Sequence, residues 1–108
     1  MDLVAALYRV SKELPKHEQF GLVSQLCRAG VSVPANIAEG YGRKHRNEYV
    51  RFLGIAQGSL QEVRTHLEIC TRLGYVSQDH AVHSQHLAEE VSKMLTGLIR
   101  SLNSLPGP

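Results

Sequence analysis

The stretch SVPANIAEGYGRKHRNEY, residues 32–49, decides whether this chain builds three long helices or four. Its proline, Pro34, falls inside an apolar pattern that runs Phe20, Val23, Leu26/Cys27, Gly30, Val33/Pro34, Ile37 and Tyr41. The pattern keeps helical phase across the proline, which positions beyond a helix end have no reason to do. An interior proline costs about 3 kcal/mol, through a lost hydrogen bond and a clash with the carbonyl four residues back. Here that carbonyl belongs to Gly30, whose missing side chain leaves room to bend, and Ser32 is placed to bond back to a freed carbonyl. The predicted element is one helix over residues 19–41, kinked near 30–34. A break into two helices is the alternative.

Outward from this stretch the helical signal is strong. Leu3, Leu7, Val10 and Leu14 recur at steps of four and three and predict a helix over residues 2–14, ended by Pro15. Tyr49, Leu53, Ala56, Leu60, Val63, Leu67 and Cys70 predict a long helix over 48–73, with Asn47 as its N-cap and Gly74 just past its end. Leu87, Val91, Leu95, Leu98, Leu102 and Leu105 predict another over 79–104, capped by Ser77 or Asp79. Sustained apolar/polar alternation is nearly absent. The expected fold is all-α, an antiparallel up-down four-helix bundle in one domain, residues 1–108.

With 43% apolar and 20% charged residues, the chain has the composition of a soluble globular protein. The N-terminus lacks a signal-peptide pattern and no stretch is apolar enough to span a bilayer, so a cytoplasmic location is expected. Cys27 and Cys70 stand alone in helical patterns and read as buried free thiols. The net charge is only +2, but it is unevenly placed. Residues 21–47 carry Arg28, Arg43, Lys44 and Arg46 against Glu39 alone, so this segment holds the whole excess.

GYGRKHR, residues 40–46, matches neither the phosphate-binding loop nor the dinucleotide fingerprint, and no strand precedes it. Two readings remain for Arg43, Lys44, His45 and Arg46: a solvated turn, or a contact with nucleic-acid phosphates that Arg51 extends. Asn36 and Glu39 lack a nucleophile, a metal set or a second carboxylate at usable spacing, and read as a structural network or an interface. His80, His83 and His86 drift about 60° apart along a helix, so they do not converge on one ion. No catalytic residue, metal or cofactor is expected. Phe52, Ile55, Ile69 and Leu73 widen the apolar face of the third helix, either as core or as a subunit interface. Gly54 and Gly58, costly inside a helix, predict a close approach by another element.

The run from Phe20 to Val76, FGLVSQLCRAGVSVPANIAEGYGRKHRNEYVRFLGIAQGSLQEVRTHLEICTRLGYV, closely resembles the proteins encoded in bacterial 23S ribosomal-RNA intervening sequences. The pieces that carry the resemblance are SVPANIAEG, EY-x-RFL-x-IA-x-GSL-x-E and LGYV. They place Pro34, Asn36, Ile37, Ala38, Glu39, Gly40, Arg43, Arg51, Phe52, Leu53, Gly58, Ser59 and Leu60 in the family's motif. The resemblance implies a left-handed antiparallel four-helix bundle that assembles as a homopentamer and has no established enzymatic activity. The same architecture occurs in accessory variability proteins of diversity-generating retroelements, which bind RNA and a reverse transcriptase through a basic surface. By that resemblance the protein is an RNA-binding homo-oligomer, or alternatively a scaffold for a partner such as a reverse transcriptase. Asn36, Glu39, Phe52, Ile55 and Gly58 then fall to a network or interface. Arg43, Lys44, His45, Arg46 and Arg51 fall to RNA.

Overall fold

Residues 2–107 are described by a computed structural model of the chain. Four α-helices follow one another: α1 (Asp2–Ser11), α2 (Ser24–Tyr41), α3 (Arg46–Arg72) and α4 (Gln78–Asn103). Among the described residues there is no strand. Consecutive helices pack side by side, and α1 also packs on α4, which closes a four-helix bundle. Each neighbour runs antiparallel: Ser32 meets Ser59 and Gly40 meets Phe52 across α2 and α3. Gln57 reaches Ser92, and Arg64 reaches Glu89, across α3 and α4. No helix among the described residues is long and apolar enough to cross a membrane.

The core is the set of residues that the helical spacing selects. Leu3, Leu7, Val10, Leu26, Val33, Leu53, Leu60, Val63 and Leu67 are all essentially sealed from solvent. Leu14 is buried too, although α1 stops at Ser11 and not at residue 14. The cause is the proline ahead: Lys12, Glu13 and Leu14 donate to carbonyls three residues back, so the chain tightens before Pro15.

Helix α2 runs through Pro34 without interruption. The expected start at residue 19 is corrected, because residues Gln19–Val23 form a π turn in which Gly21 leaves helical geometry (φ −106°, ψ −106°). The wider turn shifts the phase ahead of Ser24 and turns Phe20 outward, 92% exposed, off the apolar face where the spacing placed it. Gly30 also meets a need from outside its own helix. A Cβ there would lie 2.6 Å from Leu7 Cδ1, so its bareness lets α1 lie against α2. Ser32 bonds to Ser59 across the helix pair and not to a freed carbonyl.

The ends of α3 and α4 divide the expectations. Gly74 takes φ +75°, and the amides of Gly74 and Tyr75 bond to the carbonyls of Thr71 and Cys70, a Schellman ending that only glycine enters without strain. Ser77 caps α4 through its bond from the His80 amide. Asn47 does not cap α3: the cap position is His45, and no side chain bonds the first amides.

One end of the bundle is clasped. Glu13 accepts from the Ser77 amide at 3.1 Å, and its other oxygen bonds His80 Nδ1, tying the chain after α1 to the start of α4. Partial desolvation pushes the Glu13 carboxyl up, but the bonds from His80 and Ser77 outweigh it and leave it below its ordinary value of 4.5. A lowered carboxyl stabilises the fold above pH 4.5, and that contribution is lost as pH falls through the folded value. Glu13→Gln is therefore expected to flatten the acid limb of the stability profile below pH 4.5, as read by urea midpoints across pH.

Helix α1 is 10 residues long and α3 is 27, so by rise per residue they span about 15 Å and 40 Å. Leu7 of α1 meets Gly30 midway along the bundle, and the chain after α1 reaches the α3–α4 end through Glu13 on His80. The opposite end holds the α2–α3 turn and the last turn of α4, and there the cross-section is three helices. Tyr41 at the end of α2, Met94 on α4 and Leu105 just past its end are exposed.

Candidate nucleic-acid interface

The basic residues of the sequence come together at the three-helix end. Gly42 closes α2, the chain turns over residues 42–45, and α3 begins at Arg46. Neither Gly40 nor Gly42 has positive φ, so the turn itself does not demand glycine. Gly40 answers a different need. A Cβ there would lie 2.7 Å from Phe52 Cβ and 3.2 Å from the Tyr49 carbonyl oxygen, so α2 and α3 meet backbone to backbone where the turn begins.

This close crossing positions the cations. Phe52, half-buried in α3, has the Arg43 guanidinium 4.9 Å and the Arg51 guanidinium 4.6 Å from its ring centre. Each guanidinium also holds a carboxylate: Arg43 bonds Glu39 one helical turn back, and Arg51 bonds Glu48 at 3.0 Å. Two arginines are thus fixed around one ring, with their charge partly countered. Arg46 donates to the Pro106 carbonyl at 3.5 Å, which brings the turn beside the end of α4. Lys44 and His45 lie exposed in the turn. The uncapped N-terminus of α3 adds a partial positive charge beneath them.

Counting Arg43, Lys44, Arg46 and Arg51 against Glu39 and Glu48 leaves this end at +2, from four cations and two anions. The two exposed ion pairs are worth roughly 0.2–1 kcal/mol each, so an incoming phosphate displaces either carboxylate at little cost. What the arrangement offers is a positive rim with one aromatic ring at its centre. Among the described residues, no group of three or more His, Cys, Asp or Glu side chains is placed to hold a metal ion.

The 23S rRNA-intervening sequence protein family matches residues 1–97. This chain belongs to that family. Among solved structures, it resembles a protein of unknown function from the S23 ribosomal protein family of Bacteroides thetaiotaomicron VPI-5482, with a TM-score of 0.83. That likeness covers 91% of this chain and 92% of the other at 24% identity, and it shows the fold. No curated protein matches the sequence.

Within this 23S rRNA-intervening sequence protein, the other motif residues separate. Asn36 Nδ2 donates to the Ser32 carbonyl at 2.8 Å and to Ser32 Oγ at 2.9 Å, and Ser32 Oγ meets Ser59 Oγ at 2.8 Å. This short polar chain pins α2 to α3 midway along their contact. Glu39 stands apart from it, exposed, holding Arg43. Ile55, exposed at 40%, and Gly58 lie on the outer face of α3. The close approach expected at Gly54 and Gly58 does not come from this chain, because nothing lies within 4 Å of a Cβ built at either. Sequence reasoning missed Gln57, whose Nε2 donates to the Ser92 carbonyl at 3.2 Å and to Thr96 Oγ1 at 2.9 Å. A single glutamine between apolar positions gives no signal of the helix it will bridge.

Proposed function

We propose that this 23S rRNA-intervening sequence protein is a non-enzymatic, homopentameric RNA-binding protein that holds RNA on the rim around Phe52. The observation that carries this reading is the placing of Arg43 and Arg51 over one aromatic ring, with Lys44 and Arg46 in the same turn at one end of the bundle. Single-stranded RNA is bound by cations that track phosphates and by flat groups on which bases stack, and a guanidinium backed by an aromatic ring supplies both. The few cations of one subunit bind weakly alone, and repetition around an oligomer multiplies them through avidity. A titration of structured RNA against increasing salt tests the reading. Steep loss of affinity supports it, and no binding at low salt sinks it.

Self-association is supported by the outer face of α3, where Gly54 and Gly58 leave bare backbone beside exposed Ile55 and Ile69. In a monomer those glycines only weaken the helix, by about 1 kcal/mol each relative to alanine. Against a neighbouring subunit they allow close approach. Gly58→Leu is therefore expected to lower the mass seen by light scattering while helical content by circular dichroism stays unchanged. An unchanged oligomer mass, or a wild-type protein that is strictly monomeric, removes this face from the proposal.

A further inference from the structure

One aromatic ring at the basic end is left out of the core. Tyr41 closes α2 and is 77% exposed, two residues before Arg43. Its ring meets that of Tyr49 nearly at right angles (79°), with the ring centres 6.0 Å apart. Tyr49 is itself held, half-buried against the core and against Gly40 where α2 and α3 cross. An exposed ring is thus seated on an anchored one, which limits its freedom before anything binds. A perpendicular contact covers at most one face of the Tyr41 ring, so another face stays open.

Phe52 is differently placed. The Arg43 and Arg51 guanidinium groups already stand over its ring, so a base does not reach it without displacing a cation. Phe20, 92% exposed, follows Glu18 at the clasped end of the bundle, where Tyr75 bonds that carboxylate. Tyr41 instead has cations around it: Arg43 and Lys44 follow it in the turn, and Arg46 lies one helical turn before Tyr49. An open aromatic face beside such cations suits a single strand, whose phosphates the cations hold while a base stacks on the ring. A paired base keeps its faces inside the duplex stack and is not free to do so. We infer that Tyr41 is the stacking platform for an unpaired base of the bound RNA. This rests on the RNA-binding reading above and names the class of RNA that the basic end takes, one with an unpaired residue at this point.

The test is fluorescence anisotropy of the full chain with a short labelled single strand of RNA, alone and annealed to its complement, at low salt. Tyr41→Leu keeps apolar bulk against Tyr49 but lacks the ring. It is expected to bind the single strand about tenfold more weakly, the value of one stacked base. Its slope of log K against log salt should match wild type, because no charge is removed. Tyr41→Phe is expected to bind as wild type, since stacking uses the ring and not the hydroxyl. Duplex binding should be the same in all three proteins. Unchanged single-strand affinity in Tyr41→Leu overturns the platform while the basic rim stands. Equal losses on single strand and duplex do the same, because they mark a disturbed turn and not lost stacking. A lower oligomer mass of Tyr41→Leu by light scattering assigns the ring to a subunit contact and also overturns the platform. Should that variant lose its helical circular dichroism, the wild type still decides. A strand of abasic residues is expected to bind it about tenfold more weakly than the same strand with bases, and equal binding overturns the platform. Failure of the wild type to bind either form of the RNA overturns the rim and the platform together.

Discussion

Gly40→Val is expected to lower the unfolding free energy by about 3 kcal/mol, the upper range for side chains forced into a filled crossing. The new Cβ meets Phe52 Cβ at 2.7 Å, Tyr49 Cδ1 at 3.0 Å and the Tyr49 carbonyl oxygen at 3.2 Å. Phe52 Cβ and the carbonyl belong to α3 itself, so neither swings aside as the tip of a long side chain would. Removing a helical glycine returns at most about 1 kcal/mol, so the clash wins. Gly97→Ala, in α4, is the control, since nothing lies within 4 Å of its Cβ: it raises stability by roughly 0.5–1 kcal/mol. Urea midpoints at one protein concentration separate the two. A Gly40→Val protein as stable as wild type would show that α2 and α3 do not meet this closely.

The second large effect is on RNA. Replacing Arg43, Lys44 and Arg46 together by glutamine is expected to weaken binding about 100-fold near 0.1 M salt, if each residue neutralises one phosphate. The slope of log K against log salt should fall by about 2 in magnitude, from roughly 0.7 per phosphate on a single strand. Arg51→Gln alone should cost less, because Glu48 already occupies part of its donor set. The replaced side chains are mostly exposed, so helical content and thermal midpoint serve as the check on folding. A triple variant that binds like wild type would move the RNA site elsewhere on the molecule.

The sequence made the core legible because helix spacing and burial are the same fact seen twice. Tyr49, Leu53, Ala56, Leu60, Val63, Leu67 and Cys70 were placed on one face, and all but the half-buried tyrosine are sealed. The course of the chain through Pro34 was legible for the same reason, since apolar phase survives a proline that does not end a helix. The turn at Gly21 was not, because a π turn changes phase without any residue that announces it. Phe20 was misplaced with it. The cap of α3 was misread because Asn47 has the right chemistry and lies two positions too late. At the candidate site, sequence showed the excess charge and where it sits. It did not show that Glu39 and Glu48 counter two of the arginines, nor that Phe52 gathers them, since those are relations of rotamer and packing.

The shortness of α1 sets up a gradient of local opening along the bundle. Amides of α2, α3 and α4 that lie under α1 and the Glu13 clasp open only when four helices separate, so their hydrogen exchange should report the global unfolding free energy. Amides near Gly40 and Arg46 sit where three helices meet, and they should exchange through smaller, cheaper openings. The basic turn therefore lies at the compliant end, where, on the RNA-binding reading proposed above, its backbone adjusts to the spacing of phosphates without disturbing the clasped half. Mapping exchange protection against residue number would show this as a decline from the α3–α4 turn toward the α2–α3 turn, and RNA should lift the low end selectively.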